Sequence, residues 1–259
     1  MDFKEITRFK DAPFINELLM SPVSIVGAGG IGSWLTLILS KMNVGSIDVY
    51  DFDQVENHNI GGQLYGPNSV GRLKVNQLQK ICERLSSKFV YSHNEEVDEG
   101  SNIQMPIVFM ALDNMEARRN IFDIWHGYIN NKKLLESRSE IQKEFFIDKM
   151  KSAESLTDEE YEKFAENIQE REIKPLLIDV RMSAEVIQIV TVNQENADEY
   201  MEYWFPDEDV EDGPCRFKAT TYTGSMAASL AAMSFVNSLT PAREVPIYKE
   251  YNLPFNLEL

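Results

Sequence analysis

Glycines 27, 29, 30 and 32 fall in the run Gly27-Ala28-Gly29-Gly30-Ile31-Gly32, between the apolar stretch Pro22 to Val26 and a segment with helical spacing. In that segment, Ile31 to Met42, the residues Trp34, Leu35, Ile38 and Leu39 recur on one face. A glycine turn between a buried strand and a helix N-terminus brings backbone N–H groups and the positive end of the helix against a phosphate. Asp51 and Asp53 follow about 20 residues later, where a carboxylate can hold ribose hydroxyls. With only these residues, a Rossmann-type dinucleotide enzyme, such as an NAD-dependent oxidoreductase, is the default reading.

Further residues redirect that reading. The glycine pair is doubled and followed by Ser33, and Asp51-Phe52-Asp53-Gln54-Val55-Glu56 leads to Asn59-Ile60 and then Gln63. Gly71-Arg72-Leu73-Lys74-Val75 sets a lysine at the start of a helix, and Asp113-Asn114 follows the apolar run Ile107 to Leu112. A hydride-transfer enzyme has no need of Lys74 or of Asp113-Asn114. In order and spacing, these motifs resemble the ubiquitin-activating-enzyme-like superfamily, the ThiF/MoeB/HesA group. The resemblance is clear from Val23 to Arg119 and fainter at Arg181-Met182 and Cys215. Arg181, where the family keeps an Arg-Met pair near the site, is expected either to meet a substrate tail or to form a structural ion pair near Asp179.

The resemblance implies an enzyme that binds ATP and adenylylates a carboxyl group, usually the C-terminal glycine of a ubiquitin-like protein. It implies that Gly27, Gly29, Gly30 and Gly32 close over the nucleotide and that Asp51 holds the ribose. Asp53 belongs to the same nucleotide-binding set, and Asn59, Gln63 and Lys74 are expected near the phosphates. Asp113 is expected to hold Mg²⁺, and Arg8 to reach into the site of a second copy in a homodimer. Cys215 is expected either to accept the activated acyl group, with Arg216 and Lys218 favouring its thiolate, or to be an inert buried thiol. In one respect the chain departs from the family. Gly62 stands where the family carries arginine, removing a charge-assisted contact worth roughly 1.5–3 kcal/mol. Arg72, two residues before Lys74, is the expected substitute.

The chemistry so implied is electrostatic. Attack of a carboxylate on the α-phosphorus joins two anions, so fixed positive charge and donors do the work. A carboxylate is already ionised at neutral pH, so no general base is required, and the scattered His58, His93 and His126 read as turn or surface residues. Cys82 reads as core. The chain has two cysteines and no Cys-x-x-Cys pair, so structural zinc is not expected.

Strand, helix and strand in alternation predict an α/β fold, a mostly parallel sheet flanked by helices with an antiparallel extension in the C-terminal half. A single domain over 1–259 is expected, in three parts. Residues 14–127 form the nucleotide-binding half, 128–175 an acidic helical insertion, and 176–259 the later strands, a crossover helix and an extended tail. Thr157 with Glu160 reads as a capping box within the insertion, and Gly45 as the C-cap of the first long helix. A third strand is expected near Lys88 to Tyr91.

The net charge of −17 argues against phosphate backbones and anionic membrane surfaces as partners. No apolar run approaches the roughly 20 residues that span a bilayer, and MDFKEITRFK lacks the apolar core of a signal peptide. A reducing, cytoplasmic setting is the expectation. Two alternatives stay open at this point. One is the NAD-dependent oxidoreductase. The other is a non-catalytic nucleotide-binding interaction module, suggested by Gly62 and the acidic insertion.

Overall fold

The computed structural model of the chain describes residues 12–98, 101, 103, 106–151, 161–162, 165–166, 168, 174–183, 186–209 and 220–253. Strands β1 (Pro22–Val26), β2 (Ser46–Tyr50), β3 (Tyr91–His93), β4 (Ile107–Met110), β5 (Leu176–Met182), β6 (Val186–Asn193) and β7 (Tyr248–Asn252) form one sheet. Their order is β3-β2-β1-β4-β5-β6-β7. The first five pair in parallel, and β6 and β7 then add on antiparallel. Every residue of β1 and β4 is buried, as expected of central parallel strands covered on both faces.

Helices cover the two faces differently. On one, α2 (Gly32–Lys41), α3 (Lys74–Ser86) and α6 (Thr221–Leu239) pack over Ile25, Phe109 and Ile178. Ala227, Ala228, Ala231 and Ala232 bring α6 close, and Phe235 meets Phe109 edge to face with ring centres 5.5 Å apart. On the other face, α4 (Met115–Asn130) and the 3-10 turn Ala197–Tyr203 pack over Val108, Met110 and Leu177. Each fully buried large side chain in these layers contributes about 1.5–3 kcal/mol relative to an exposed position.

Several sequence expectations shift. Met42, not Gly45, is the C-cap of α2, and Asn43 adopts the left-handed conformation with φ 61°. Asparagine tolerates that region, so Gly45 is released to donate its N–H to Leu18 O at 3.2 Å. Lys88 does not join the third strand, because its ammonium is buried and donates to Gly45 O at 2.7 Å. The segment expected as an exposed helical insertion is helical and partly packed on the rest of the chain. It contains α5 (Lys132–Lys151), and its Ile147 and Ile168 pack with Met20 of α1 (Ile15–Met20). The tail from Pro241 supplies β7 as a paired strand. The Thr157–Glu160 capping box lies outside the described residues. Among the described residues, no helix is long and apolar enough to cross a membrane.

Candidate nucleotide-binding site

β1 is paired in parallel with β2 on one side and β4 on the other, so the strand order reverses at β1. Open α/β sheets bind ligands in the crevice beyond such a reversal. Two backbone bonds define its floor. Gly27 N donates to Tyr50 O, and Ala111 N donates to Val26 O, both at 2.8 Å. Gly27 has φ +96° and a Cβ there would run into Ala111 O, so this turn requires glycine. The loop then passes Gly29 and Gly30, and Gly32 opens α2 with Ser33 N bonded to Gly29 O at 3.1 Å.

Asp51 ties this loop to the next strand. Its Oδ2 accepts from Ala28 N at 2.7 Å, and its Oδ1 accepts from Asp53 N at 2.8 Å. Burial raises its carboxyl above the ordinary aspartate value, against the lowering effects of the Ala28 N–H and Lys74. Lys74, the first residue of α3, is 7% exposed and places Nζ 2.7 Å from Asp53 Oδ2 and 4.0 Å from Asp51 Oδ2. Its backbone N also donates to Asp53 O at 2.9 Å. A buried ammonium is therefore held by one buried and one half-exposed carboxylate.

A second loop is stitched onto the first. Glu56 and Asn59 form a reciprocal capping box around the 3-10 turn Asn57–Gly61, which uses the Asn59 carbonyl oxygen internally. Tyr65 donates to Ala28 O at 2.7 Å, Leu64 N to Ser33 Oγ at 3.2 Å, and Trp34 Nε1 to Gly62 O at 3.3 Å. Thr221 Oγ1 donates to Gly61 O, bringing the start of α6 to the same loop. The helix approaches so closely that a Cβ on Gly224 would sit 2.5 Å from Gly30 O. Inside this double loop, Gln63 Oε1 is a buried polar atom without a hydrogen-bond partner, and its amide nitrogen lies 3.9 Å from the Cβ direction of Gly29. The unmet atom is an acceptor, so it suits a donor group on a polar ligand, whereas a phosphate takes its hydrogen bond from the Gln63 amide nitrogen.

Arg72 is exposed, and its backbone O accepts from Val55 N at 2.8 Å. No side-chain contact among the described residues draws it toward Gly62. Asp113 is exposed at the end of β4 and makes no hydrogen bond or ion pair among the described residues. Nor do the described residues contain a cluster of three or more His, Cys, Asp and Glu side chains that could hold a metal. One free carboxylate is a donor set that fits Mg²⁺, which takes one or two protein carboxylates and completes its shell with water and phosphate oxygens. Arg8 and Cys215 lie outside the described residues.

Of the buried network behind Asp113, the sequence suggests only the ion pair of Arg181 near Asp179, as the structural alternative to a substrate contact. Asp179, on β5, is fully buried and accepts from Arg118, from Arg181 Nε at 2.8 Å and from Tyr200 at 2.9 Å. Arg118 also donates to Leu112 O, the carbonyl immediately before Asp113. Arg181 donates to Tyr203 O at 2.6 Å and lies over the Phe205 ring. Burial is the largest single effect on the Arg181 guanidinium and works against its charge, but Asp179 and Tyr200 together outweigh it and raise the net pKa, while burial raises the Tyr200 phenol strongly. Arg181 thus serves an internal ion pair. Arg118 and Tyr200 carry no sequence signal, since they sit in otherwise ordinary helical and acidic contexts.

Comparison with known proteins agrees with this geometry. The ThiF family model matches residues 4–252. The chain is 33% identical over 134 residues to "Adenylyltransferase and sulfurtransferase MOCS3" of Aedes aegypti, covering 49% of this chain and 30% of that protein. It is 26% identical over 112 residues to "Ubiquitin-like modifier-activating enzyme 5" of Caenorhabditis elegans, covering 37% of this chain and 27% of that protein. The chain thus spans less than a third of the length of these curated relatives. Among solved structures, PaaA superposes with a TM-score of 0.62 at 15% identity, covering 98% of this chain and 75% of that one. E. coli MccB with ATP superposes with a TM-score of 0.54 at 16% identity, covering 93% and 66%. At these identities the likeness concerns the fold, and the family match over nearly the whole sequence decides the affiliation: the chain belongs to the ThiF family.

Proposed function

We propose that this chain adenylylates a carboxylate with ATP, forming acyl-AMP and releasing pyrophosphate. The observation that carries the reading is the convergence of three features at the β1 reversal: the glycine cradle, the buried Lys74 ammonium and the free Asp113 carboxylate. The adenylyltransferase names of relatives matched over 49% and 41% of the chain support it. In this reading the glycine loop receives the phosphates through its N–H groups, and Gln63 donates to them through its Nε2 amide. Asp51 orients the ribose while fixing Ala28. Lys74 exchanges Asp53 for the triphosphate and neutralises the charge that grows as the carboxylate attacks the α-phosphorus. Asp113 would hold Mg²⁺, which would supply positive charge against the phosphates.

The carboxylate is proposed to be the C-terminus of a ubiquitin-like protein or peptide, followed by transfer to Cys215. The working unit is proposed to be a homodimer in a cytoplasmic setting, with Arg8 donated between copies. An outward stripe on α6, Tyr222, Met226 and Met233, each more than 40% exposed, supports self-association. Nucleic acid and membranes are not proposed as partners, given the charge of −17. The test is ATP–pyrophosphate exchange against a panel of ubiquitin-like tails and peptides. Nucleotide binding without carboxylate-dependent exchange would replace an enzyme with a binding module, the outcome that Gly62 would then explain.

A further inference from the structure

α4 begins directly after Asp113-Asn114, and its first turn is capped twice. Asn114 Oδ1 accepts from Ala117 N at 2.8 Å, the ordinary N-cap bond. A second carboxylate then arrives from far along the chain. Asp207 Oδ1 accepts from Met115 N at 2.8 Å, and its Oδ2 is 3.4 Å from Glu116 N. The same segment returns a donor, since Trp204 Nε1 bonds Met115 O at 2.8 Å, with the Arg119 guanidinium 5.2 Å over the indole. Upstream of Asp113, Arg118 holds Leu112 O. The two residues 113 and 114 are therefore clamped at both ends while the Asp113 carboxylate itself stays free and exposed.

The clamp has a single root. Arg118 is fixed by the buried Asp179, and Asp179 also fixes Tyr200 and Arg181, which holds Tyr203 O. The segment 197–207 and the backbone around Asp113 hang from one buried carboxylate on β5. Asn114 satisfies only the Ala117 N–H of this helix start, and Asp207 takes the first two N–H groups of α4 from a segment about ninety positions away. What this contact adds is a fixed backbone just beyond Asp113 and a negative charge at Met115 N, both of which favour a divalent cation.

We propose that Asp207 and Trp204 are positioning residues for Asp113, so that the segment 197–209 sets the cation affinity of the site without touching the cation. This rests on the reading above in which Asp113 takes Mg²⁺ together with ATP. Asp207 acts through the first N–H groups of α4, and Trp204 through Met115 O.

The test is thermal protection of the full chain by a fixed ATP concentration, titrated with Mg²⁺, for wild type, Asp207→Ala and Asp207→Asn. Asp207→Ala is expected to raise the half-saturating Mg²⁺ concentration on the order of tenfold, as loss of an outer-shell partner does. Asp207→Asn, which keeps an acceptor for Met115 N, is expected to recover part of that shift. Protection by ATP without Mg²⁺ is expected to be equal in all three, because the glycine cradle is untouched. A half-saturating Mg²⁺ concentration unchanged in Asp207→Ala overturns the proposal. So does an equal loss of Mg²⁺-free protection, which would mean general damage to the site. If wild type shows no Mg²⁺ dependence at all, the assignment of Asp113 fails first and takes this proposal with it. Trp204→Phe, which removes the donor to Met115 O, is expected to shift the Mg²⁺ titration in the same direction as Asp207→Ala, and no shift would overturn the role of Trp204.

Discussion

Around Lys74 two carboxylates share one ammonium, whereas around Asp179 two guanidiniums share one carboxylate. The first group opens to solvent through Asp53, whose side chain is 52% exposed, while Asp179 is fully buried. An ion pair with an open side can exchange partners when a triphosphate arrives. A sealed one cannot, and its removal leaves charge stranded in low dielectric. The two clusters flank the same strand ends, so the molecule separates a charge that moves from a charge that holds.

That contrast predicts different failures. The largest effect on stability is expected for Asp179→Asn, which strands Arg118 and Arg181, and it should cost about 3–5 kcal/mol in denaturant unfolding. A loss under 1 kcal/mol would mean that water reaches the cluster. Lys74→Ala should instead act on chemistry, lowering pyrophosphate exchange by about 10²- to 10³-fold, the range for removing one group that stabilises transition-state charge. Its thermal stability should fall far less than that of Asp179→Asn, and the reverse order would erase the distinction drawn here. Gly224→Ala tests the close approach of α6 to the loop. Its new methyl meets the backbone of Gly30, which cannot rotate away, so destabilisation of about 1–3 kcal/mol is expected with weaker ATP protection.

The smallest effect concerns Asp51. Burial raises its carboxyl in the folded state, so the folded chain binds that proton more tightly than the unfolded one. Its contribution to stability therefore falls as pH rises from the unfolded value of about 3.9 through the raised folded value. Asp51→Asn should flatten the melting temperature over that interval. A profile as steep as wild type would assign the dependence to Asp48, which burial shifts in the same direction.

The sheet and the glycine turn were legible because they rest on local signals: apolar runs ending in glycine, helical spacing, and acidic residues at strand ends. Boundaries moved where a tertiary bond outweighed the pattern, as when Gly45 gave its carbonyl to Lys88 and Asn43 took the left-handed turn. At the site, the motif residues from Gly27 to Asp113 stood out as types and spacings. Their supports did not. Tyr65, Thr221, Gly224 and Asp207 act through one or two hydrogen bonds or a missing methyl across 37 to 194 positions of sequence. No periodicity encodes such contacts.

The most direct measurement is carboxylate-dependent ATP–pyrophosphate exchange in wild type, Lys74→Ala and Asp113→Asn. The account predicts Mg²⁺-dependent exchange in wild type and its loss in both variants, with the fold retained. Exchange that persists in both variants, or a wild-type chain protected by NAD and not by ATP with Mg²⁺, would contradict it.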